Sequence, residues 1–183
     1  MHLFSTRLPS PLGDMHLVTD AQRIVRALDF ADHAARLRRG LREHYGDVDT
    51  LEGPAPAEIA EALRRYFAGE LDALEALPTA TAGSELQRRV WAALRRIPAG
   101  TTTSYGTLAR QLGFDDPRAA IDVGAAIGAN PIALLVPCHR VIAGNGDLKG
   151  YAWGVHRKRW LLEHEKALAP RPAVARTATL PGF

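Results

Sequence analysis

"DPRAAIDVGAAIGANPIALLVPCHRVI", residues 116–142, joins a helix signal to an apolar run and carries the one cysteine of a 183-residue chain. Asp116 is a side-chain acceptor placed to cap a helix, Pro117 suits the first helical position, and Asn130-Pro131 ends the segment. Just upstream, "TTTSYGTLARQLG" (101–113) reads as a shorter helix with Gly113 as its stop. The two helices form a helix-turn-helix, a pattern found in many proteins that never touch DNA. Downstream, "IALLVPCHRVI" (132–142) reads as a buried extended segment. Side chains alternate along such a segment, so Cys138 and Arg140 share one side and His139 faces the other.

Working outward, "SELQRRVWAALRRIPAG" (84–100) begins with a capping box, Ser84 to Gln87, and places Leu86, Val90, Trp91 and Leu94 on one face. "GVHRKRWLLEHEKAL" (154–168) reads as a final helix, and residues 169–183 as a loose Pro-rich tail. Before Ser84 the pattern changes. "HLFST", "DMHLVTD" and "IVRALDF" have the length and turn punctuation of short strands, and "ADHAARLRRGLREHYG" and "APAEIAEALRRYFAGEL" have helical spacing. The fold class is therefore α+β: a small N-terminal α/β domain over 1–78, a Thr/Ala/Gly-rich linker at 79–83, and a helical domain over 84–168.

The bulk properties narrow the chemistry. A single cysteine excludes an internal disulfide framework and any zinc site built on paired cysteines. The histidines at 2, 16, 33 and 44 have no cysteine partners, so neither metal nor cofactor is expected. The first residues lack a secretory pattern, and no apolar run approaches the roughly 20 residues that cross a bilayer. A cytoplasmic protein without membrane contact is the expectation. Net charge is +3, yet residues 1–83 hold 9 Lys+Arg against 13 Asp+Glu while residues 84–183 hold 14 against 7. The positive half suits an anionic partner such as nucleic acid, and equally a solvated Arg-rich surface.

Cys138 is the obvious reactive group. A thiol becomes a nucleophile when a cation, a helix N-terminus or an adjacent base lowers its pKa. The competing reading is a structural cysteine beside a satisfied histidine. "PCHRVI", preceded by "GANP" and followed by "GDLKGYAWGVHRKRWLLEHE", together with "RRVWAALRRIPAGTTTSYGTLA", resembles the O6-alkylguanine-DNA alkyltransferases, also called methylated-DNA–protein-cysteine methyltransferases. The likeness runs from about Ser84 to Glu165. "SPLGDMHLVTD" and the segment after it resemble the small domain of bacterial members, extending the likeness to nearly all of the first 168 residues.

The resemblance implies a ribonuclease-H-like N-terminal domain and a winged-helix-like C-terminal domain. It implies a monomer that binds double-stranded DNA containing O6-alkylguanine and moves the alkyl group from O6, or in the same way from O4 of thymine, onto Cys138 in a single irreversible turnover. His139 would take the thiol proton through a water, Glu165 would orient His139, Asn130 would complete the hydrogen-bonded set, and Tyr105 would protonate the departing base. Val141, Tyr151, Ala152 and Trp153 would flank the flipped base, and Arg118, Ile121, Ala125 and Ala126 would face DNA. Arg157 and Lys158 could meet phosphate or be solvated. One position departs from the family pattern: where the recognition helix carries an arginine, nine residues before Asn130, this chain has Ile121, followed by Asp122. That departure keeps two alternatives open, a sacrificial cysteine for non-duplex or small-molecule alkyl donors and a non-catalytic lesion-binding module.

Overall fold

The structure, a computed structural model, describes residues 1–169. Three strands, β1 (Leu3–Leu8), β2 (Met15–Asp20) and β3 (Val25–Phe30), form an antiparallel meander, and a short β4 (Thr50–Glu52) adds parallel to β1. The sheet order is β3-β2-β1-β4. β2 and β3 are buried at nearly every position, because both faces of the sheet are covered. Helix α1 (Ala34–Tyr45) lays Leu37 over Leu3, Val18 and Ala27 on one face. Met15, Leu17, Val25, Leu28 and Phe30 face the other way, into a core shared with α2 (Ala57–Phe67) and the C-terminal half. A register shift at Val18/Thr19 breaks strict alternation.

The C-terminal half contains α3 (Glu85–Leu94), β5 (Thr103–Ser104), α4 (Tyr105–Gln111), α5 (Pro117–Gly128), β6 (Val141–Ile142) and α6 (Val155–His164), with β5 and β6 paired in parallel. The caps expected from sequence form. Ser84 Oγ accepts from Gln87 N at 3.2 Å while Gln87 Oε1 accepts from Ser84 N at 2.9 Å. Asp116 accepts from Arg118 N at 2.9 Å with Pro117 at the first position of α5. Gly113, at φ +85°, ends the α4 segment in a conformation that L side chains rarely adopt. α3 packs across α5, and the Trp91 indole N–H donates to Ala126 O at 2.9 Å.

The two halves are not strung on a free linker. Val25 N donates to Pro78 O and Ala80 N to Val25 O, so residues 78–80 run along the edge of β3. On the same strand Leu28 N donates to Pro131 O at 3.1 Å and Ala133 N to Leu28 O at 2.8 Å, so the segment leading to Cys138 is tied to the N-terminal sheet. Gly83 marks a close approach: a Cβ there would lie 2.5 Å from the Trp91 ring. The segment 132–142 is not the extended run expected. Leu134 has φ +66°, Leu135 N donates to Ala133 O and Cys138 N to Val136 O, and Cys138–Arg140 form a 3-10 turn. Two prolines and the tie to Leu28 compress the chain into successive tight turns, which apolar composition does not reveal. The loose tail expected over 169–183 lies, beyond Ala169, outside the described residues.

Both hydrogen bonds of the capping box on α3 pass through Ser84. Replacing it with Ala is expected to cost about 1 kcal/mol, read from the urea unfolding midpoint, and an unchanged midpoint would show the cap to be idle.

Candidate functional site

Cys138 sits on a 3-10 turn, where successive side chains diverge by about 120°. The alternation expected for a strand therefore fails: Arg140 is not beside the thiol. His139 and Arg140 instead converge on one carboxylate. Glu165, just beyond α6, accepts from His139 Nε2 at 2.9 Å on Oε1, and from Arg140 Nη2 and Nε at 2.9 Å each on Oε1 and Oε2. A fourth donor comes from the N-terminal domain, with Tyr66 Oη giving its proton to Glu165 Oε1 at 2.7 Å. All four residues are buried. Sequence reasoning missed Tyr66 because Ile59, Ala62, Leu63 and Tyr66 form the apolar face of α2, on which a tyrosine reads as core.

Asn130 closes α5 and turns its amide toward the thiol. Its Nδ2 donates to Val136 O at 2.7 Å and to Cys138 Sγ at 3.1 Å, and its Oδ1 accepts from Ile132 N at 2.9 Å. Lys158 is buried and meets no carboxylate within ion-pair reach among the described residues; Nζ donates to Val141 O and Leu148 O at 2.6 Å. Neither Lys158 nor Arg157 is solvated. Arg157 donates to the carbonyls of Leu12 and Trp153 and to Asp32. Both had appeared surface-like because α6 carries so many charged side chains.

A cavity of about 270 Å³ opens over the thiol. Gly124, Ile127 and Gly128 of α5 line one wall, Gly150, Tyr151 and Ala152 the other, and Tyr105 and Cys138 complete it. Val141 is buried with its carbonyl committed to Lys158 and does not line this cavity. Trp153 does not line it either: it is fully buried, and its indole N–H donates to Asp29 of β3. On α5, Arg118, Ile121 and Ala125 are exposed, with Ile121 at 71%, whereas Ala126 is buried under Trp91 and presents no side chain to solvent.

Burial dominates the electrostatics. It pushes the Cys138 thiol above its ordinary value against the donor from Asn130 and the charge of Lys158, so the resting group is a thiol. It lowers His139, which the Glu165 carboxylate only partly offsets, leaving a neutral imidazole. His139 Nδ1 and Tyr151 Oη are buried without a protein partner. Burial pulls Lys158 down to about 8. For Glu165 burial would act upward, but hydrogen bonds from His139 and Arg140, and the Arg140 charge, hold it well below the carboxylate range. Among the described residues no three His, Cys, Asp or Glu side chains are grouped to hold a metal ion, and no helix is long and apolar enough to cross a membrane.

A carboxyl whose folded pKa is depressed binds protons less readily folded than unfolded. The stability Glu165 contributes is therefore complete above its ordinary value of 4.5 and is lost as pH falls below it. Between about pH 6 and pH 3 the urea midpoint of the wild type should fall more steeply than that of Glu165→Gln. The variant should also be less stable near neutrality by about 3 kcal/mol or more, since Arg140 is left buried and unpaired. Equal slopes would mean that Glu165 does not govern acid stability.

The 6-O-methylguanine DNA methyltransferase DNA binding domain profile matches residues 85–167, and the ribonuclease-like domain profile of the same name matches residues 3–81. A methylated-DNA–protein-cysteine methyltransferase of Shigella flexneri is 44% identical over 167 residues, spanning 90% of this chain and 96% of that protein. The crystal structure of the Mycobacterium tuberculosis O6-methylguanine methyltransferase superposes with a TM-score of 0.73 at 38% identity, covering 92% of this chain and 95% of that one. The Mycobacterium tuberculosis protein in complex with DNA gives 0.73 at 37% identity over 91% and 94%. With both halves matched in order and the likeness spanning the whole described site, the chain belongs to the 6-O-methylguanine DNA methyltransferase family.

Proposed function

We propose that this chain repairs DNA directly, by stoichiometric transfer of an alkyl group from guanine O6 to Cys138 that consumes the protein. The observation that carries the reading is the placement of the one cysteine. It lies in an open cavity with an amide donor on its sulfur and a buried His139–Glu165 pair next to it in the fold. In the step, Sγ attacks the alkyl carbon, the S–C bond forms as the C–O6 bond breaks, and the electron pair leaves on the base. The thiol proton passes to neutral His139, whose Nδ1 is the free nitrogen, through a water; the Glu165 carboxylate stabilises the imidazolium that results. Asn130 supports the charge developing on sulfur. Tyr105, whose hydroxyl is kept protonated by burial, supplies the proton that lets the base depart neutral. Tyr151 and Ala152 flank the base, which must leave the stack to reach the thiol.

Arg118, Ile121 and Ala125 follow one face of α5, three and four residues apart, beside the glycines that wall the cavity. We assign this face to duplex DNA, with the protein acting as a cytoplasmic monomer. Ile121 is a large apolar side chain held in water at the place where a wedge would enter the duplex, and apolar wedges unstack bases in other DNA-bending proteins. Asp122, also exposed, adds a negative charge where phosphates would lie, which weakens rather than supports binding.

Incubation with a duplex oligonucleotide carrying O6-methylguanine should add one methyl group to the intact mass, located on Cys138, and Cys138→Ser should show no addition while still binding. Transfer by the serine variant, or none by the wild type, overturns the assignment. Ile121→Arg should raise the transfer rate on duplex and leave the rate on the same single strand unchanged; an equal or slower duplex rate would mean that flipping is not limited at this position.

A further inference from the structure

Three of the eight residues that line the cavity bring no side chain to it. Gly124 and Gly128 on one side and Gly150 on the other carry no side chains, and a Cβ at each would meet nothing within 4 Å. Bare backbone thus forms much of both walls, between Ile127 on one side and Tyr151 on the other, and that backbone is anchored from behind. Arg36, on α1 of the N-terminal domain, reaches both walls. Its Nη2 donates to Asn130 O at 2.7 Å and Gly128 O at 3.2 Å, the carbonyls that end α5. Its guanidinium stacks 4.5 Å from the centre of the Trp153 ring, one residue beyond Ala152. Asp29 closes the triangle, accepting from Arg36 Nη1 at 3.0 Å on Oδ2 and from the Trp153 indole on Oδ1. Asp29 and Trp153 are buried, and Arg36 is mostly so.

We propose that Arg36, held by Asp29 and Trp153, is a specificity-determining residue: a clasp from the N-terminal domain that fixes the separation of the two cavity walls and so limits the size of the alkyl group brought to Cys138. A planar, five-donor cation suits this task because it bonds two carbonyls and stacks on an indole at once, which a lysine cannot do. Loosening the clasp lets the Gly150–Ala152 wall retreat from α5, which admits longer alkyl groups and relaxes the hold on the smallest one. Arg36 makes no hydrogen bond to Cys138 Sγ, His139 or Glu165; its hold on the Asn130 carbonyl and the pull of its charge on the thiol act on every alkyl donor alike.

This inference rests on the alkyl-transfer reading of the site. Single-turnover rates are measured, by intact mass, on duplexes carrying O6-methylguanine or O6-butylguanine. General destabilisation lowers both rates together, so the readout is their ratio. Arg36→Leu should raise the butyl-to-methyl ratio about tenfold or more, the scale on which one methylene is discriminated in an apolar pocket, whereas a ratio within about twofold of the unsubstituted protein overturns the clasp. If Arg36→Leu does not fold, Trp153→Phe keeps a ring under the guanidinium while removing the donor to Asp29, and the same ratio decides. No transfer by the unsubstituted protein from either duplex overturns the alkyl-transfer reading and the clasp with it.

Discussion

The buried carboxylate of Glu165 is the point on which the rest of the structure turns. Taking a carboxylate out of water costs several kcal/mol, and only well-placed donors offset it. Here the donors come from two parts of the chain, Tyr66 from α2 and His139 and Arg140 from the turn that carries Cys138, and the acceptor Glu165 is held just beyond α6. Satisfying one ion thus docks the N-terminal domain on the C-terminal half, fixes the rotation of the 3-10 turn and terminates α6. The Glu165 cluster is at once part of the candidate site and part of the interdomain interface.

That constraint explains why Pro137–Arg140 coils instead of extending. A strand would send His139 and Arg140 to opposite faces, and they could not share a carboxylate. A 3-10 turn separates them by about a third of a turn each, which leaves Cys138 free to point toward the cavity while its two successors meet Glu165. Leu134 at φ +66° is the local cost, about 1–2 kcal/mol for a non-glycine residue, and it is held in place by the bonds that tie residues 131–133 to Leu28.

Much of this architecture could be read from residue order. The capping box at Ser84, the Asp116-Pro117 start and the Gly113 stop are local signals, decided within four residues, and each is present as expected. The three N-terminal strands and the helices fall close to their expected positions for the same reason. What escaped is non-local. Tyr66 and Glu165 are 99 residues apart and Trp153 and Asp29 are 124 apart, and nothing in the spacing of either pair announces the contact. Charge was misleading where burial reversed it: Arg36, Arg157 and Lys158 sit in sequences that look solvated, yet each spends its donors on carbonyls or carboxylates inside the protein. Ala126 misled in the opposite sense, since an alanine on a recognition helix has no mark that separates the buried face from the exposed one.

The resting state of Cys138 follows from the same burial. A nucleophile that can act only once is best kept unreactive toward whatever else diffuses into its cavity, and a thiol pushed above its ordinary pKa has that property. Asn130 and Lys158 pull the other way, by a donor on the sulfur and by charge, but their combined effect is less than that of desolvation. Ionisation must then be coupled to the attack itself. In the proposed step a bound base displaces solvent from the cavity and presents carbon to sulfur, and the proton leaves toward His139 only as the S–C bond forms. In this arrangement selectivity comes from geometry: the thiol is not activated in advance, and only an alkyl carbon held between the α5 wall and Tyr151 is positioned to accept the sulfur electron pair.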